Sequence, residues 1–256
     1  MLVRERHEKI VELVNQRNSI RVSELSSIFS VTEETIRRDL EKLEKEQRLS
    51  RSHGGAISIR KEEPVDLPFS EREITNVKEK KEIALEAIKQ VVQGDRLILD
   101  ASTTAWYMAK ALPNIPITVV TNSIKVAMEL SIKKEITVIC TGGTLLSESL
   151  SFVGPITDIS LDTYHVNKAF ISCKGLHLTR GISESNEQQA LIKKKMIDIS
   201  DSVYIMLDHT KFGVQSFARI SDLEKINHVI TDSKISDEII STINDRGLHV
   251  IKVSPC

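Results

Sequence analysis

The chain has 256 residues, 40% of them hydrophobic, and a formal net charge of −1, a length and apolar content that predict two domains, each with its own core. Cys140, Cys173 and Cys256 stand far apart with no CxxC pair, which argues against a disulfide framework and a structural zinc site and suits a reducing compartment. The opening Arg4, Glu5 and Arg6, and the lack of any run of about eighteen apolar residues, argue against a signal peptide and a membrane span. A cytoplasmic chain with no metal, no cofactor and no membrane partner is expected. The near-neutral total conceals a local bias, because residues 36 to 60 carry seven Lys+Arg and four Asp+Glu, the kind of patch that phosphate backbones attract.

In chain order, Val3, Ile10, Leu13 and Val14 share a helical face and predict a first helix from about Leu2 to Gln16. Ile20, Arg21 and Val22 read as a short extended piece. Ser23 is the expected N-cap of a second helix whose Leu25, Ile28 and Phe29 pack on the first. Thr32 caps a third helix, Glu33 to about Gln47, with Ile36, Leu40 and Leu43 as its buried stripe. Thr35, Arg38, Lys42 and Lys45 fall on the opposite side. A short helix, a tight turn and a helix presenting Arg, Lys and Thr is the helix-turn-helix plan, in which the first residues of the second helix reach base edges. Leu49, Arg51 and Ile57 around His53-Gly54-Gly55 predict a β-hairpin wing, with the glycines at its tip for positive φ or close approach to DNA. The alternative for the basic stripe is a solvated face with i,i+4 ion pairs such as Glu41 to Lys45.

The segment Val31-Thr-Glu-Glu-Thr-Ile-Arg-Arg-Asp-Leu-Glu-Lys-Leu43, followed by Leu49-Ser-Arg-Ser-His-Gly-Gly-Ala56, resembles the N-terminal signature of the DeoR family of repressors, and the resemblance continues through nearly the whole chain. It implies that operator double-stranded DNA is held by Ser23, Thr32, Glu33, Thr35, Arg37, Arg38, Lys42, Arg51, His53, Gly54 and Gly55. Domains are expected at 1–60 for the winged helix-turn-helix, 61–74 for a linker marked by Pro64 and Pro68 among acidic residues, and 75–256 for a second domain.

Beyond the linker, strand-length apolar runs alternate with helical stretches: Arg96 to Leu99, Ile117 to Val120, Ile136 to Cys140, Ala169 to Ser172, Val203 to Leu207, Val229 to Thr231 and His249 to Val253. This predicts an α/β chain with a mostly parallel sheet. Several runs end in Asp, Ser or Thr, and in open α/β sheets the carboxyl ends of the strands line the ligand crevice. Asp100-Ala-Ser-Thr-Thr104 is the sharpest piece: a buried strand runs into hydroxyl residues at a helix start, where unpaired N–H groups and the positive helix end hold a phosphate. An ordinary capping turn is the plain alternative.

The family's sensor domain is similar in fold to sugar-phosphate isomerases and binds phosphorylated sugars or related metabolites, and the chain continues to resemble it at Thr121-Asn122-Ser123, Gly142-Gly143, Lys174-Gly175 and Asp208 to Gly213. The resemblance therefore implies effector contacts from Asp100, Ser102, Thr103, Thr104, Thr121, Asn122, Gly142, Gly143, Lys174 and Lys211, with Lys193-Lys194-Lys195 expected as a solvated helix face. Where the family commonly has Asp before the Ala-Phe-Ile strand, as do related isomerases with acidic catalytic residues, this chain has Asn167, which cannot act as a base and leaves Glu184 as the remaining carboxylate. A repressor of a carbohydrate-catabolism operon, controlled by a phosphorylated sugar, with no catalytic residues and acting as a homodimer or homotetramer, is the expected function. A sugar-phosphate isomerase with an added DNA-binding domain is the alternative.

Overall fold

The structure is a computed structural model describing residues 3–17, 19–46, 48–52, 54–57 and 67–254. The chain divides into two compact units, residues 1–62 and 63–256. The first holds α1 (Val3–Arg17), β1 (Ser19–Arg21), α2 (Val22–Phe29), α3 (Glu33–Lys45), β2 (Ser50–Ser52) and β3 (Gly55–Ile57). Ile10, Val14, Leu25, Ile36, Leu40 and Leu43 form its core. Thr32 starts α3 as expected, its side chain accepting from the Thr35 amide, and acidic Glu33 and Glu34 in the first turn with Lys42 and Lys45 in the last complement the helix dipole. The three strands form an antiparallel sheet in the order β1-β3-β2.

Three expectations fail here. α2 starts at Val22 with Arg21 at the N-cap and no side-chain cap, so Ser23 is an exposed residue of the first turn. The core-facing side of α2 runs through Val22, Leu25 and Phe29, which leaves Ile28 about a quarter turn away and 44% exposed. Val3, at the free end of α1, is also outside the core, at 52% exposed.

The second unit begins with α4 (Phe69–Glu73), inside the stretch read from the sequence as linker, and Phe69 is buried. There follow α5 (Val77–Ile88), β4 (Arg96–Leu99), α6 (Thr103–Ala111), β5 (Ile117–Thr121), α7 (Ile124–Leu130), β6 (Ile136–Cys140), β7 (Thr144–Leu146) and β8 (Ser151–Val153). The chain continues with α8 (Pro155–Asp162), β9 (Val166–Ile171), β10 (Gly175–His177), β11 (Gly181–Glu184), α9 (Glu187–Asp198) and β12 (Ser200–Leu207). It closes with β13 (Ala218–Ser221), β14 (His228–Thr231), α10 (Asp237–Asn244) and β15 (His249–Lys252). Seven strands make one sheet, β15-β14-β12-β9-β4-β5-β6, with parallel pairing throughout. Successive side chains of β4 point to opposite faces, so Leu97 and Leu99 enter one core layer and Ile98 the other.

The strand order places the site. From β4 the chain builds outward through β5 and β6, and from β9 it builds the other way through β12, β14 and β15. The order therefore reverses between the neighbours β4 and β9, and the crevice beyond the carboxyl ends of such a pair is where open α/β sheets take ligands.

Candidate functional site

The outward face of α3 carries Arg37, Arg38 and Lys42, all exposed, with half-buried Thr35 beside them. Arg37 pairs with Glu33 at 2.7 Å, Arg38 with Glu34 at 3.4 Å and Lys45 with Glu41 at 3.0 Å. The i,i+4 pairs weighed as the alternative are thus present, but exposed pairs contribute little and exchange readily for phosphate oxygens. Below this face lies a buried ionic cluster that sequence reasoning missed: Asp39 accepts from Arg6 Nε at 2.6 Å and Nη2 at 3.2 Å, and its Oδ1 is 3.0 Å from His7 Nε2. Burial alone would raise the Asp39 carboxyl, but the bonds from Arg6 and His7 outweigh it and hold the group below its ordinary value. The cluster fixes how α3 lies on α1. The signal available was spacing, since Asp39 stands three residues after Ile36, on the buried stripe.

Arg51 presents an exposed side chain, and its amide donates to Glu44 at 2.8 Å, tying the wing to α3. His53 lies outside the described residues. Gly54 is exposed, and a Cβ there would meet nothing within 4 Å. Gly55 is buried in β3, and a Cβ would stand 2.1 Å from the Ile20 carbonyl oxygen. Close approach to β1 thus requires glycine at 55, which is the first residue of β3 where the expectation put it at the wing tip.

In the second unit, a cavity of about 120 Å³ lies at the switch point. Ser102, Thr103 and Thr104 line it from the N-cap and first turn of α6, just after β4, and Ser172, Cys173 and Lys174 from the loop after β9. The Ser102 side chain caps α6 by accepting from the Ala105 amide, while the amides of Thr103 and Thr104, in the first turn, have no acceptor inside the helix. Lys211, from a short 3-10 turn, lines the cavity too. Five predicted effector residues, Ser102, Thr103, Thr104, Lys174 and Lys211, thus converge.

The other five stand outside the lining. Asp100 is fully buried beneath it: Oδ1 accepts from the Ser102 amide and hydroxyl, and Oδ2 from the Ser172 amide. From there it shapes both loops. Thr121 accepts from the Ser123 amide, and Asn122 donates to the Phe152 carbonyl. Gly142 and Gly143 take positive φ of 65° and 118°, and a Cβ at Gly143 would stand 2.2 Å from Thr157 Oγ1, so these glycines serve a tight turn.

Sequence reasoning missed four cavity residues of consequence. Lys193, expected on a solvated face, is buried and bonds Glu184 at 2.5 Å and pairs with Asp100 at 3.2 Å. A run of three lysines on a helix puts each on a different side, and only its packing tells which one turns inward. Burial opposes the Lys193 charge, but Glu184 and Asp100 outweigh it and raise the ammonium above its ordinary range; Lys193 in turn holds Glu184 below the usual carboxylate range, against the effect of burial. Arg72 and Lys80, from α4 and α5, line the cavity from a part of the chain with no motif. Burial pulls the Lys80 ammonium down to about 8; Asp208 opposes this, and Lys211, Arg72 and Lys174 add to it. Cys173, pushed up to about 12 by burial, is an inert thiol.

The first unit matches the DeoR-like helix-turn-helix domain over residues 6–62, and the second matches the DeoR C terminal sensor domain over residues 75–233. The chain belongs to the DeoR family of transcriptional regulators. It is 60% identical to the uncharacterised HTH-type transcriptional regulator YulB of Bacillus subtilis, covering 99% of this chain and 98% of that one. It is 37% identical to the L-fucose operon activator of Haemophilus influenzae, covering 91% and 94%, and 34% identical to the transcriptional repressor GlcR of B. subtilis, covering 98% and 96%. Among solved structures, ribose 5-phosphate isomerase A of Methanocaldococcus jannaschii is similar at 18% identity and TM-score 0.39, covering 52% of this chain and 53% of that one. The sorbitol operon regulator SorC of Klebsiella pneumoniae is similar at 8% identity and TM-score 0.42, covering 93% and 97%.

These end-to-end relatives are named as regulators, and this DeoR protein is a regulator and not an enzyme. Two observations agree with that physically. Asn167, the position weighed for a catalytic acid, sits at the start of β9 and accepts from the Arg96 amide at 3.0 Å, at the opposite end of the strands from the crevice. Glu184, held ionised by Lys193, is a weak base. Among the described residues no group of His, Cys, Asp and Glu is placed to hold a metal ion, and no helix is long and apolar enough to cross a membrane.

Proposed function

We propose that this regulator represses a carbohydrate-catabolism operon, holding operator DNA with α3 and the wing, and that a small phosphorylated sugar in the switch-point cavity changes its hold. The observation that carries the reading is convergence: Ser102, Thr103 and Thr104, at the start of α6, line the same cavity as Lys174, Lys211, Arg72 and Lys80. A helix N-terminus with hydroxyls and cations around it suits a phosphate, and Asp208 in the lining offers an acceptor for sugar hydroxyls. On the DNA side, Arg37 and Arg38 near the start of α3 suit base-edge and phosphate contacts. A dimer or tetramer is part of the proposal, because helix-turn-helix proteins read paired half-sites. Relatives named as a repressor and as an activator make the sign of regulation the first thing to measure. The test is a thermal-shift screen of pentose and hexose phosphates with their unphosphorylated parents, followed by operator affinity at saturating ligand. Stabilisation by the phosphorylated compounds alone, with a change in operator affinity, is expected; equal stabilisation by the parent sugars would remove the phosphate from the account.

A further inference from the structure

We infer that Arg72 is the residue through which a bound anion acts on the rest of the protein: its guanidinium closes on the anion and carries α4 with it. The inference rests on reading the switch-point cavity as the effector site, and it adds to that reading the path by which binding leaves the cavity.

Three observations support it. First, Arg72 lines the cavity, and its Nη2 is buried with no hydrogen-bond partner, whereas its Nε donates to the Leu67 carbonyl at 2.9 Å. The fork is therefore held by one arm while a buried donor stands unsatisfied, a costly state that an anionic oxygen would relieve.

Second, a residue of the cavity holds one end of α4. Lys80 Nζ donates to the carbonyls of Arg72 at 2.5 Å and Thr75 at 2.7 Å, which ties the end of α4 and the turn after it to α5. The same Lys80 lines the cavity and is crowded by Arg72, Lys174 and Lys211. An anion entering there attracts Arg72 and competes with those two carbonyls for Lys80, so both ends of the Arg72–Lys80 connection respond to one ligand. A ligand shifts an equilibrium only by interacting differently with its two states, and this connection supplies such a difference.

Third, α4 is short and stands at the right place in the chain. Its five residues are fastened by the Phe69 amide on the Glu148 carbonyl, the Tyr107 hydroxyl on the Glu73 carbonyl, and the Phe69 ring edge-on to Trp106 at 5.8 Å. Among the described residues it is the helix that follows β3 in sequence and the first element of the second unit, and its displacement is the change that binding hands on. Trp106, the only Trp in the chain, touches α4 through Phe69 and so reports it.

The experiment uses the full chain and a duplex selected by it from a random library. Inorganic phosphate, then pentose and hexose monophosphates, are titrated while calorimetry gives affinity, Trp106 emission reports α4, and operator affinity is read at saturation. Arg72→Gln is expected to weaken binding at least ten-fold and, even at saturation, to leave Trp106 emission and operator affinity unmoved. Thr103→Val is expected to weaken binding yet give the full response once saturated, and Arg72→Lys to recover part of the affinity. Thermal unfolding verifies that each variant is folded. A full response from saturated Arg72→Gln would overturn the inference and leave the effector site standing. Failure of the parent to bind any of these anions, or unchanged binding in both Arg72→Gln and Thr103→Val, would overturn both.

Discussion

The two units present cations in opposite ways. On α3, Arg37, Arg38 and Lys45 stand in water, each beside a glutamate one turn away. In the cavity, Lys80 is buried among Arg72, Lys174 and Lys211, so crowded and desolvated that its ammonium falls to about 8. Solvated, locally paired cations suit a long polyanion bound by counterion release, with affinity that falls steeply with salt. Desolvated, crowded cations suit one small anion of fixed position, because only there does a single charge relieve several repulsions at once. Each cation set rests on a buried ionic cluster of its own, Arg6–Asp39–His7 under α3 and Lys193–Glu184–Asp100 under the cavity.

Lys193→Met tests the second cluster and carries the largest expected effect. It strands Glu184 and Asp100 as buried charges, and removing one partner of such a group costs about 3 to 5 kcal/mol, to be read as a lower urea midpoint of the sensor-domain transition. Asp39→Asn tests the first. Losing charge-assisted bonds to Arg6 and His7 is expected to cost about 1.5 to 3 kcal/mol and to weaken operator binding by loosening α3. The folded carboxyl of Asp39 lies below its unfolded value, so its contribution is present above the ordinary aspartate range and is lost as pH falls through the folded value. Urea midpoints of parent and Asp39→Asn should therefore converge in acid, and a constant difference would break the account of that cluster.

Gly55→Val is expected to cost about 1 to 3 kcal/mol through overpacking against β1, weakening operator binding while effector binding persists. On α3 itself, Arg37→Ala and Arg38→Ala separate by kind. Loss of a base contact costs about 1 to 3 kcal/mol and relaxes specificity at one position, while loss of a phosphate contact lowers the salt slope by about 1 and weakens all sequences alike. The smallest effect is in the cavity's pH dependence. An anion favours the protonated Lys80, so effector affinity should fall as pH rises through about 8, with proton uptake measurable by calorimetry in buffers of different ionisation enthalpy. Affinity flat between pH 7 and 9 would mean that Lys80 does not face the anion.

What the sequence made legible follows the reach of the physics involved. Helical period placed Ile36, Leu40 and Leu43 inward, and apolar runs marked all seven strands of the main sheet, most strongly the inner ones such as β4 and β12, where burial on both faces leaves a continuous signal. The hydroxyl loop at Ser102 was legible because strand end, cap and helix start are adjacent in the chain. Arg72 and Lys80 were not, since they reach the cavity only when α4 and α5 pack beside the switch point, and nothing local in Phe69–Ile88 records that. Lys193 failed for a related reason: its ion partners Glu184 and Asp100 come from other elements, so its burial depends on contacts that no window of sequence contains. Gly55 stood out as a glycine in a turn motif, but its close approach to Ile20 of a neighbouring strand was not legible, because that contact forms only when β1 pairs with β3.

The central claim is that a phosphorylated sugar in the switch-point cavity alters the grip of α3 on operator DNA. The direct measurement titrates sugar phosphates and their unphosphorylated parents into the protein–operator complex while following Trp106 emission, fraction of DNA bound and product formation together. The account predicts that a phosphorylated sugar changes emission and DNA occupancy over the same concentration range and is recovered unaltered, with the parent sugar far weaker. Binding that leaves occupancy unchanged, or steady turnover of the sugar phosphate, would contradict it.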